Sequence, residues 1–507
     1  LVFGDGVAWG SVPGGYEMVY VVRTNLGAEC YCAAEIEEVL EDECGNVDND
    51  NAEEDSDKRL PFWKVVARPN GLAGCVGVCA LHETVGDETD STTNTTTSDM
   101  ARATLSSSKA KIVSLLLGLR SAHHILEYHC HFLLSEVING KDDNGDKPAL
   151  TKEQTLSITG ESLYQFMKQN LVNGTYTIPT LIQNDDAPSQ TTALSFRVSS
   201  ERIGGPHEFT TPEVEREIGG AMMEYYPVTP QMQNYDVNVR ADVLHDRVLI
   251  GTQRNVDDLS KQRHFLRFRN AVTIKTNLAY AMLRCAAVND LSSPPNAKGG
   301  GGGGVKIVDP FCGSGTILLE ALQVYAANDN VTCVGMDVSR KTVKGARSNA
   351  VAAGFREDKV TFTCVDARGL RKELDDDSVD AIVTNLPWGV MTGHKNVNDL
   401  QSLYEVFLRT AWYVLKTRGR IVVLVLRGLQ LVRIVRKLGG RFRLLSVRVV
   451  KTGNNLPSIV VLEKLGRDFE REKVKRQLNY LAPFVNVSTQ MYQAIHYEQI
   501  DQVSNID

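Results

Sequence analysis

The sequence predicts an α/β protein whose C-terminal half is a doubly wound, largely parallel β-sheet, and three observations support this fold class. A β-branched run from Val305 to Asp309 is followed by a turn containing Gly313 and Gly315, and an apolar helix starts at Thr316. From there, strand-like and helix-like segments alternate as far as Glu463. A chain of 507 residues with 42% hydrophobic content is long enough for roughly three domains with their own cores.

The first 140 residues or so predict a small α/β unit with insertions. A strand that starts at Tyr16 precedes a helix from Cys30 to Leu40. The run from Glu35 to Asp57 contains many acidic residues and no basic one, and we interpret it as a solvated or disordered insertion. The remaining predicted segments are strands at Trp63–Ala67 and Gly74–Ala80, a polar loop at Thr89–Ser108, and apolar segments at Ile112–Leu119 and Ile125–Val137.

A second α/β module is predicted to follow. It contains a helical piece at Glu161–Asn170, a polar linker at Asp185–Gln190 and a strand at Ala193–Ser199. Thr211 is predicted to be the N-cap of a helix with proline at its first position, which runs to about Tyr225. A strand at Tyr235–Val243 with a hairpin partner at Arg247–Thr252 closes the module.

The segment from Lys261 to Arg269 interleaves basic and aromatic residues. This composition is typical of sites where a phosphate is neutralised beside a stacked base, although an ordinary charged linker has the same appearance. A helix from Thr273 to Ala287 and a flexible loop ending in six glycines lead to the strand at Val305.

The C-terminal half then predicts alternating elements. The strands are Val331–Met336, Val360–Cys364, Val379–Thr384 and Arg420–Leu426; the helices are Arg340–Ala353, Leu400–Leu415 and Gly428–Leu438; the closing pair is Phe442–Val450 with Ser458–Glu463. Asp309, Asp337, Asp366 and Asn385 all fall at carboxyl ends of strands. Because ligands of such sheets bind beyond those ends, we expect these four side chains to surround one site.

Charge and cysteine usage limit the function classes. The net charge is −7, but the charges are segregated, and the stretch from Lys416 to Lys451 carries basic residues and no acidic one, so a basic face is available. The ten cysteines include no CxxC pair, which favours free thiols in a reducing compartment, hence a cytoplasmic protein, with the nucleus as the alternative compartment. We expect no metal site, even at the cluster of His123, His124, His129, Cys130 and His131.

No apolar run is long enough for a membrane span, and no signal peptide is visible, so no membrane partner is expected.

The glycine turn predicts an adenosine ligand without a pyrophosphate. There is no GxxxxGK[ST] motif, and Gly313-Ser-Gly315 lacks the third glycine of a dinucleotide fingerprint. Asp337 could accept hydrogen bonds from both ribose hydroxyls and Asp366 from the adenine amine, although both could also be ordinary strand-end caps. S-adenosylmethionine fits these groups.

The stretch Asn385-Leu386-Pro387-Trp388-Gly389 predicts the reacting side. The exocyclic amine of a nucleobase is a poor nucleophile because its lone pair is delocalised into the ring. The Asn385 side-chain oxygen and a carbonyl of the Leu386-Pro387 step could accept both of its N–H groups, while Trp388 stacks on the base. A simple proline turn after a strand is the alternative interpretation of this stretch alone.

Together, Asp309–Thr316 and Asn385–Gly389 resemble the motif pair of amino-methyltransferases that act on nucleic acid. The flanking sequence is similar to the family of THUMP-domain tRNA guanine-N2 methyltransferases. The stretches that carry this resemblance are Phe196-Arg-Val, Arg202, Gly204, Phe209-Thr-Thr, Ile218-Gly-Gly-Ala and Ile274 to Leu283, and more faintly Thr24 to Glu29 and Gly118 to His123. The family often has Tyr or Phe where Trp388 stands, and it shares Leu386 in place of the proline of adenine-specific enzymes.

The resemblance implies a Rossmann-like methyltransferase domain over residues 265–465, preceded by a ferredoxin-like domain over 10–150 and a THUMP domain over 155–257, with a C-terminal extension over 466–507. It implies a tRNA gripped at its acceptor stem by the N-terminal domains, a guanine turned out into the Asn385 pocket and, in eukaryotic members, a small zinc-binding activator subunit.

The predicted site residues form three groups. The catalytic group is Asn385, Leu386, Pro387 and Trp388. The S-adenosylmethionine group is Asp309, Pro310, Cys312, Gly313, Ser314, Gly315, Thr316, Asp337, Asp366 and Asn385. The RNA-binding group is Arg197, Arg202, Lys261, Arg263, Arg267 and Arg269. The same chemistry on another RNA, such as a small nuclear RNA, or on an adenine stays open, as does an inactive RNA-binding scaffold.

Overall fold

The computed structural model describes residues 8–45, 63–81, 109–139, 152–182, 194–205, 207–261, 265–270, 273–288, 304–389, 397–453 and 455–466. These residues fold as two compact units. The C-terminal unit comprises Asn25–Tyr31 and the described residues from Ser260 onward, and the N-terminal unit comprises the remainder up to Leu259.

The N-terminal unit contains ten strands in one sheet. They are β1 (Ala8–Trp9), β2 (Tyr16–Thr24), β3 (Trp63–Ala67), β4 (Cys75–Leu81), β5 (Ala122–Leu133), β6 (Leu194–Ser199), β7 (Arg202–Ile203), β8 (Val228–Pro230), β9 (Val237–Leu244) and β10 (Arg247–Gln253). Their order is β1-β3-β4-β2-β5-β10-β9-β6-β8, with β7 also paired to β9. The long strand β5 pairs antiparallel with β2 on one side and β10 on the other, so one sheet runs through both predicted N-terminal modules.

Five helices whose full bounds lie in the described part of the chain accompany this sheet, besides a helical segment at residues 109–116. They are α1 (Glu29–Gly45), whose first residues belong to the C-terminal unit, α2 (Leu134–Asn139), α3 (Lys152–Leu156), α4 (Gly160–Val172) and α5 (Thr211–Tyr225). Apolar side chains of α4 and α5, such as Leu163 and Ile218, pack with Phe132 and Phe196 of the sheet in one buried cluster. The second predicted module therefore has its amphipathic helices where the sequence pattern placed them.

Two local predictions in the N-terminal unit were wrong. The N-cap of α5 is Thr210, not Thr211, because the Thr210 hydroxyl accepts a hydrogen bond from the Glu213 amide while the Glu213 carboxylate accepts one from the Thr210 amide. The acidic run is not solvated throughout. Its first residues continue α1 to Gly45, and Glu35 is buried, accepting hydrogen bonds from the Arg120 amide at 2.8 Å and the Ser121 amide at 2.9 Å.

Several predicted segments lie outside the described residues: the rest of the acidic run, the loop at 89–108, the linker at 185–190, five of the six glycines before the Val305 strand, and the extension beyond 466. Within the described ranges, no helix combines the length and the apolar character that a membrane crossing requires.

The C-terminal unit is built on a seven-stranded sheet, as the alternating pattern predicted. Its strands are β11 (Val305–Asp309), β12 (Val331–Asp337), β13 (Val360–Cys364), β14 (Val379–Asn385), β15 (Leu415–Val425), β16 (Phe442–Val449) and β17 (Ser458–Lys464). The order is β13-β12-β11-β14-β15-β17-β16, in which the first five are parallel and β17 is antiparallel to both of its neighbours. The predicted doubly wound α/β class is confirmed.

The helices of this unit with bounds inside the described residues are α6 (Thr276–Ala286), α7 (Thr316–Val324), α8 (Arg340–Ala352), α9 (Val397–Val414) and α10 (Gly428–Lys437). A buried core cluster joins side chains of α9 and α10 to the sheet, for example Phe407 and Leu431 against Ile382 and Val423. The chain order reverses at β11, which lies between β12 and β14. This is the switch point at which ligands bind in open α/β sheets.

Candidate active site

The turn after β11 has the tight geometry that its glycines predicted. Gly313 and Gly315 have φ values of 52° and 81°, a region that favours glycine. The Cys312 amide donates to the Met336 carbonyl of β12 at 2.8 Å, and the Gly315 amide donates to the Cys312 carbonyl at 2.8 Å. A Cβ atom at Gly315 would lie 2.9 Å from the Phe362 ring, so this position has no room for a larger residue.

Strand register brings the predicted site residues to one edge of the sheet. Asp309 is paired with Gly335, so Asp337 lies two residues further along β12. Val308 is paired with Ile382, so Asn385 lies two residues beyond the level of Asp309 on the opposite neighbour, β14. The structure therefore places the Asp337 and Asn385 backbones at similar depth on either side of the glycine turn.

Asp309 is buried at the base of this site. Its Oδ1 accepts hydrogen bonds from the Thr384 hydroxyl at 2.6 Å and from the Phe311 amide at 3.1 Å. Burial raises the pKa of this carboxyl to about 7, while the two hydrogen bonds act in the opposite direction. Asp309 thus links β11 to β14 and is too enclosed, at 1% exposure, to be a surface acceptor.

The two other carboxylates have different surroundings. Asp337 is half-buried, its Oδ1 accepts from the Ser339 amide at 2.8 Å, and burial raises its pKa. Asp366 is more exposed, and the Arg368 guanidinium contacts both of its oxygens, with Nε at 2.9 and 3.0 Å, which lowers the pKa of Asp366. The structure brings Asp337 to the turn with capacity for further donors, whereas Asp366 already has a cationic partner.

The segment after β14 is fixed from two sides. The Leu386 amide donates to the Leu424 carbonyl of β15 at 3.0 Å, and the Tyr404 hydroxyl of α9 donates to the Pro387 carbonyl. The Trp388 indole N–H donates to the Asn385 Oδ1 at 3.1 Å. Since a carbonyl oxygen has two lone pairs, Asn385 can accept a second hydrogen bond.

Helix α9 supports both halves of the site. Tyr404 holds the turn that follows Asn385, and Phe407, one turn later, packs edge-on against Phe311 of the glycine turn with ring centroids 5.4 Å apart. Both side chains are buried. Because positions i and i+3 share a helix face, one rigid element sets the position of the two loops.

Asn349 is a positioning residue that the sequence analysis missed. Its amide nitrogen donates to the Phe268 carbonyl at 2.8 Å and the Ser314 carbonyl at 3.0 Å, and its oxygen accepts from the Phe268 amide at 2.8 Å. The Phe268 ring lies so close to α8 that a Cβ atom at Gly345 would be 2.2 Å from it. A polar residue among the small, buried residues of α8, three positions after Ala346, was the signal that could have revealed this role.

The predicted RNA-binding residues fall in both units. In the N-terminal unit, Arg197 donates to Asn238 at 3.3 Å and lies 4.4 Å above the Tyr235 ring, and Arg202 donates to the Phe209 carbonyl.

In the C-terminal unit, Lys261, Arg267 and Arg269 are exposed, and Asn349 holds the segment that carries both arginines against the glycine turn. Arg263 lies outside the described residues.

The histidines of the suspected cluster lie on β5 and have separate partners. His123 contacts Asp258 at 3.1 Å, His129 contacts Thr252 at 2.7 Å, and His131 contacts the Tyr128 hydroxyl at 2.7 Å. Burial lowers the pKa of His129 to about 4. No group of three or more potential metal ligands occurs within the part of the chain that the structure describes.

The sheet order, the glycine turn after its first strand and the Asn-Leu-Pro-Trp stretch after its fourth define a Rossmann-like methyltransferase. The family model described as RMKL-like, methyltransferase domain matches residues 263–456, and the THUMP domain model matches residues 179–253.

Two sequence relatives of the chain are named as tRNA guanine-N2 methyltransferases. The chain is 36% identical over 273 residues to a tRNA (guanine(6)-N2)-methyltransferase of Thermus thermophilus, a match that covers 54% of this chain and 73% of the relative. The protein named tRNA (guanine(6)-N(2))-methyltransferase THUMP3 of Bos taurus is 26% identical over 314 residues, 57% of each chain. The chain therefore belongs to the family of THUMP-domain tRNA guanine-N2 methyltransferases.

Two further similarities extend this result. The crystal structure of TrmN from Thermus thermophilus superposes with a TM-score of 0.52 at 26% identity, covering 89% of this chain and all of that one. A protein named U6 snRNA (guanine-N(2))-methyltransferase THUMPD2 from Bos taurus is 30% identical over 235 residues, 46% of this chain and 41% of that protein. The chain spans about half the length of the mammalian relatives that it matches.

Proposed function

We propose that this protein transfers a methyl group from S-adenosylmethionine to the exocyclic N2 of a guanosine in the acceptor stem of tRNA. The observation that carries the proposal is the register that sets Asp337 and Asn385 at similar depth on the strands flanking the glycine turn. Asp337 at the end of β12 then binds the cofactor, and Asn385 at the end of β14 binds the base. The names of the relatives point to guanine 6 as the target.

The residues of the turn fit S-adenosylmethionine. A Cβ atom at Gly313 would meet only the Asn270 side chain, at 3.8 Å, so a ligand can approach the backbone there. We assign the adenosine and its amino-acid tail to the turn made by Pro310, Cys312, Gly313, Ser314, Gly315 and Thr316, with Asp309 shaping its base. The half-buried Asp337 accepts hydrogen bonds from the ribose hydroxyls.

We propose that the adenine amine of S-adenosylmethionine donates a hydrogen bond to the Asp366 carboxylate, which already has a partner in the protein. The Arg368 guanidinium now contacts both oxygens of this carboxylate, so binding must share or displace it. Both side chains are substantially exposed, at 60% for Arg368 and 40% for Asp366, and an exposed ion pair of this kind contributes only about 0–1 kcal/mol. Rearranging the ion pair between Asp366 and Arg368 therefore costs little free energy.

The chemistry that S-adenosylmethionine supplies when bound is an electrophilic methyl group on a positively charged sulfur. The residues of the protein make the guanine amine a better nucleophile. The Asn385 Oδ1 and the Leu386 carbonyl accept its two N–H groups, which favours a pyramidal nitrogen with its lone pair turned away from the ring. The Pro387 carbonyl is occupied by Tyr404, and Trp388 supplies the surface on which the guanine stacks.

The RNA-binding role belongs in this proposal to the N-terminal domains, with the boundaries 10–150 and 155–257 given above, together with the segment before the methyltransferase domain. Arg197 and Arg202 are assigned to the THUMP domain, and Lys261, Arg263, Arg267 and Arg269 to the segment that leads to the glycine turn. Basic side chains at these places neutralise phosphates and orient the RNA.

The test is methyl transfer to unmodified tRNA by the full chain. Labelled S-adenosylmethionine should give labelled tRNA, and Asn385→Ala should lower the rate by about 100-fold, as removal of one essential polar contact does, while still binding the cofactor in calorimetry. Asn330→Ala, which changes an exposed asparagine before β12, is the matched control and should behave as the wild type. Equal labelling by Asn385→Ala would contradict the assigned role.

A small nuclear RNA is the second candidate substrate, because the similarity to the bovine THUMPD2 protein favours it. The chemistry and the site are the same in both cases. Parallel assays with U6 snRNA and with tRNA transcripts at equal concentration separate the two, and the proposal requires a higher kcat/KM for tRNA.

We further propose, on the strength of the family resemblance, that a small zinc-binding activator subunit assists the enzyme. We also propose that the enzyme is located in the cytoplasm or the nucleus. Nine of the ten cysteines are free thiols within the described part of the chain, eight of them buried, and this supports a reducing compartment. Co-expression with such a subunit should raise the yield or the specific activity of the enzyme. If both stay unchanged, the proposed role of the activator is wrong.

A further inference from the structure

Helix α10 has one strongly basic face. Its residues Leu431, Val432, Ile434 and Val435 are buried against the sheet. Its exposed residues include Arg433, Arg436 and Lys437, which are spaced three and four apart and therefore lie on the same side of the helix. Arg427, also exposed, directly precedes the helix. We call these four residues the α10 basic strip.

Within the part of the chain that the structure describes, no carboxylate accompanies the strip. The sequence from Lys416 to Lys451 contains no acidic residue. None of the four side chains forms an ion pair with another of the described residues.

Other exposed cations of the same unit contrast with it. Arg356 pairs with Asp358, Arg371 pairs with Asp376, and Arg409 pairs with Glu405. In a chain with a net charge of −7, four cations with no ion-pair partner among the described residues form a local positive surface.

The strip begins beside the proposed base pocket. Arg427 is three residues beyond Leu424, which is paired with Asn385 and accepts the hydrogen bond of the Leu386 amide. The positive charge of Arg427 opposes the effect of burial, which raises the pKa of Tyr404. The Tyr404 hydroxyl is the group that donates a hydrogen bond to the Pro387 carbonyl. A Cβ atom at Gly428 would lie 2.5 Å from the Ser458 hydroxyl, so the start of α10 is packed tightly against β17 and its position is fixed.

We propose that the α10 basic strip binds the phosphodiester backbone of the RNA strand whose base enters the pocket at Asn385. This inference rests on the proposed function and adds to it an RNA-binding surface on the methyltransferase unit itself. A helix of ten residues extends for about 15 Å, so the strip can contact several consecutive phosphates. Arginine and lysine side chains that lack carboxylate partners are free to do so, and they act through charge rather than base identity.

The experiment compares two triple variants of the full chain. Arg433→Gln/Arg436→Gln/Lys437→Gln neutralises the three residues of the strip that lie on the helix itself. Arg356→Gln/Arg371→Gln/Arg409→Gln removes the same net charge from exposed cations that already have carboxylate partners. Binding to an unmodified tRNA transcript is measured across a salt series without turnover, and thermal unfolding checks that both variants fold as the wild type does.

The strip variant should bind tRNA about 10-fold more weakly near physiological salt, and the slope of log K against log salt should fall by about 2 to 3 units, since each phosphate contact contributes roughly 0.7 to 0.9. The control variant should stay within about twofold of the wild type on the same measure. Wild-type binding by the strip variant, or an equal loss in the control variant, would overturn the inference.

The binding readout also separates this inference from the proposed function. A wild-type chain that binds tRNA but methylates no guanosine would refute the proposed function, while the salt series still decides whether the strip contacts RNA. A wild-type chain with no measurable affinity for tRNA would overturn both.

Discussion

The Thr384 hydroxyl donates a 2.6 Å hydrogen bond to the buried carboxyl of Asp309 and so ties the end of β14 to the end of β11. Thr384 directly precedes Asn385, and Asp309 directly precedes the glycine turn. The proposed base side and cofactor side of the site are therefore connected through one buried side-chain contact.

Removal of this contact should destabilise the fold. Thr384→Val keeps the shape of the side chain and leaves the Asp309 carboxyl without its hydroxyl donor, which costs about 1–3 kcal/mol for a buried group. Denaturant unfolding should show this loss, whereas Thr384→Ser should retain most of the stability. Equal stability of the two variants would show that the hydroxyl does not matter.

The buried Asp309 carboxyl should make stability depend on pH. Because its pKa is raised to about 7 in the folded protein, the stabilisation from its bound proton is complete below its ordinary pKa and is lost as pH rises through 7. The free energy of unfolding of Asp309→Asn, relative to the wild type, should therefore increase by about 2–3 kcal/mol between pH 5 and pH 8. Urea unfolding at the two pH values measures this, and a constant difference would refute it.

Tyr404 should affect turnover more than cofactor binding. Tyr404→Phe loses the hydrogen bond to the Pro387 carbonyl and lets the acceptor turn shift, so kcat should fall by about 10- to 100-fold, with the KM for S-adenosylmethionine nearly unchanged. Tyr325→Phe is the matched control, because Tyr325 is another buried tyrosine whose hydroxyl donates to a backbone carbonyl, that of Leu283 at 3.1 Å. Similar kcat values for both variants would contradict the proposal that Tyr404 positions the acceptor turn.

The glycine turn should tolerate no side chain at Gly315. Gly315→Ala combines a positive φ with a clash against Phe362 and should weaken S-adenosylmethionine binding by more than about 10-fold. Gly354→Ala has a similar φ of 77° and nothing within 4 Å of the added Cβ, so calorimetry should find its cofactor affinity unchanged. Equal effects of the two changes would mean that backbone strain, not the shape of the turn, is responsible.

Sequence reasoning predicted the elements whose signals are local. The strand, glycine turn and helix from Val305 onward are contiguous, and the polar residues at strand ends identify the binding edge of a parallel sheet before any coordinates are known. The pairing of Asp366 with Arg368, two residues away, was equally local but was missed, because a free carboxylate was assumed.

The remaining contacts depend on tertiary packing. Tyr404 reaches Pro387 from α9, and Asn349 bonds Phe268 across 81 residues, so no sequence pattern specifies either pair. The unpaired charges of the α10 basic strip could be seen in the sequence as a basic stretch. That three of them share one exposed helix face, and that Arg427 follows the strand paired with Asn385, required the fold.

The measurement that tests the central claim most directly is identification of the methylated nucleoside. Unmodified tRNA treated with the full chain and S-adenosylmethionine, then digested and separated with mass detection, should contain N2-methylguanosine. The product should be strongly reduced with Asn385→Ala and unchanged with Asn330→Ala. Methylation of adenine, or of guanine at another atom, would contradict the account.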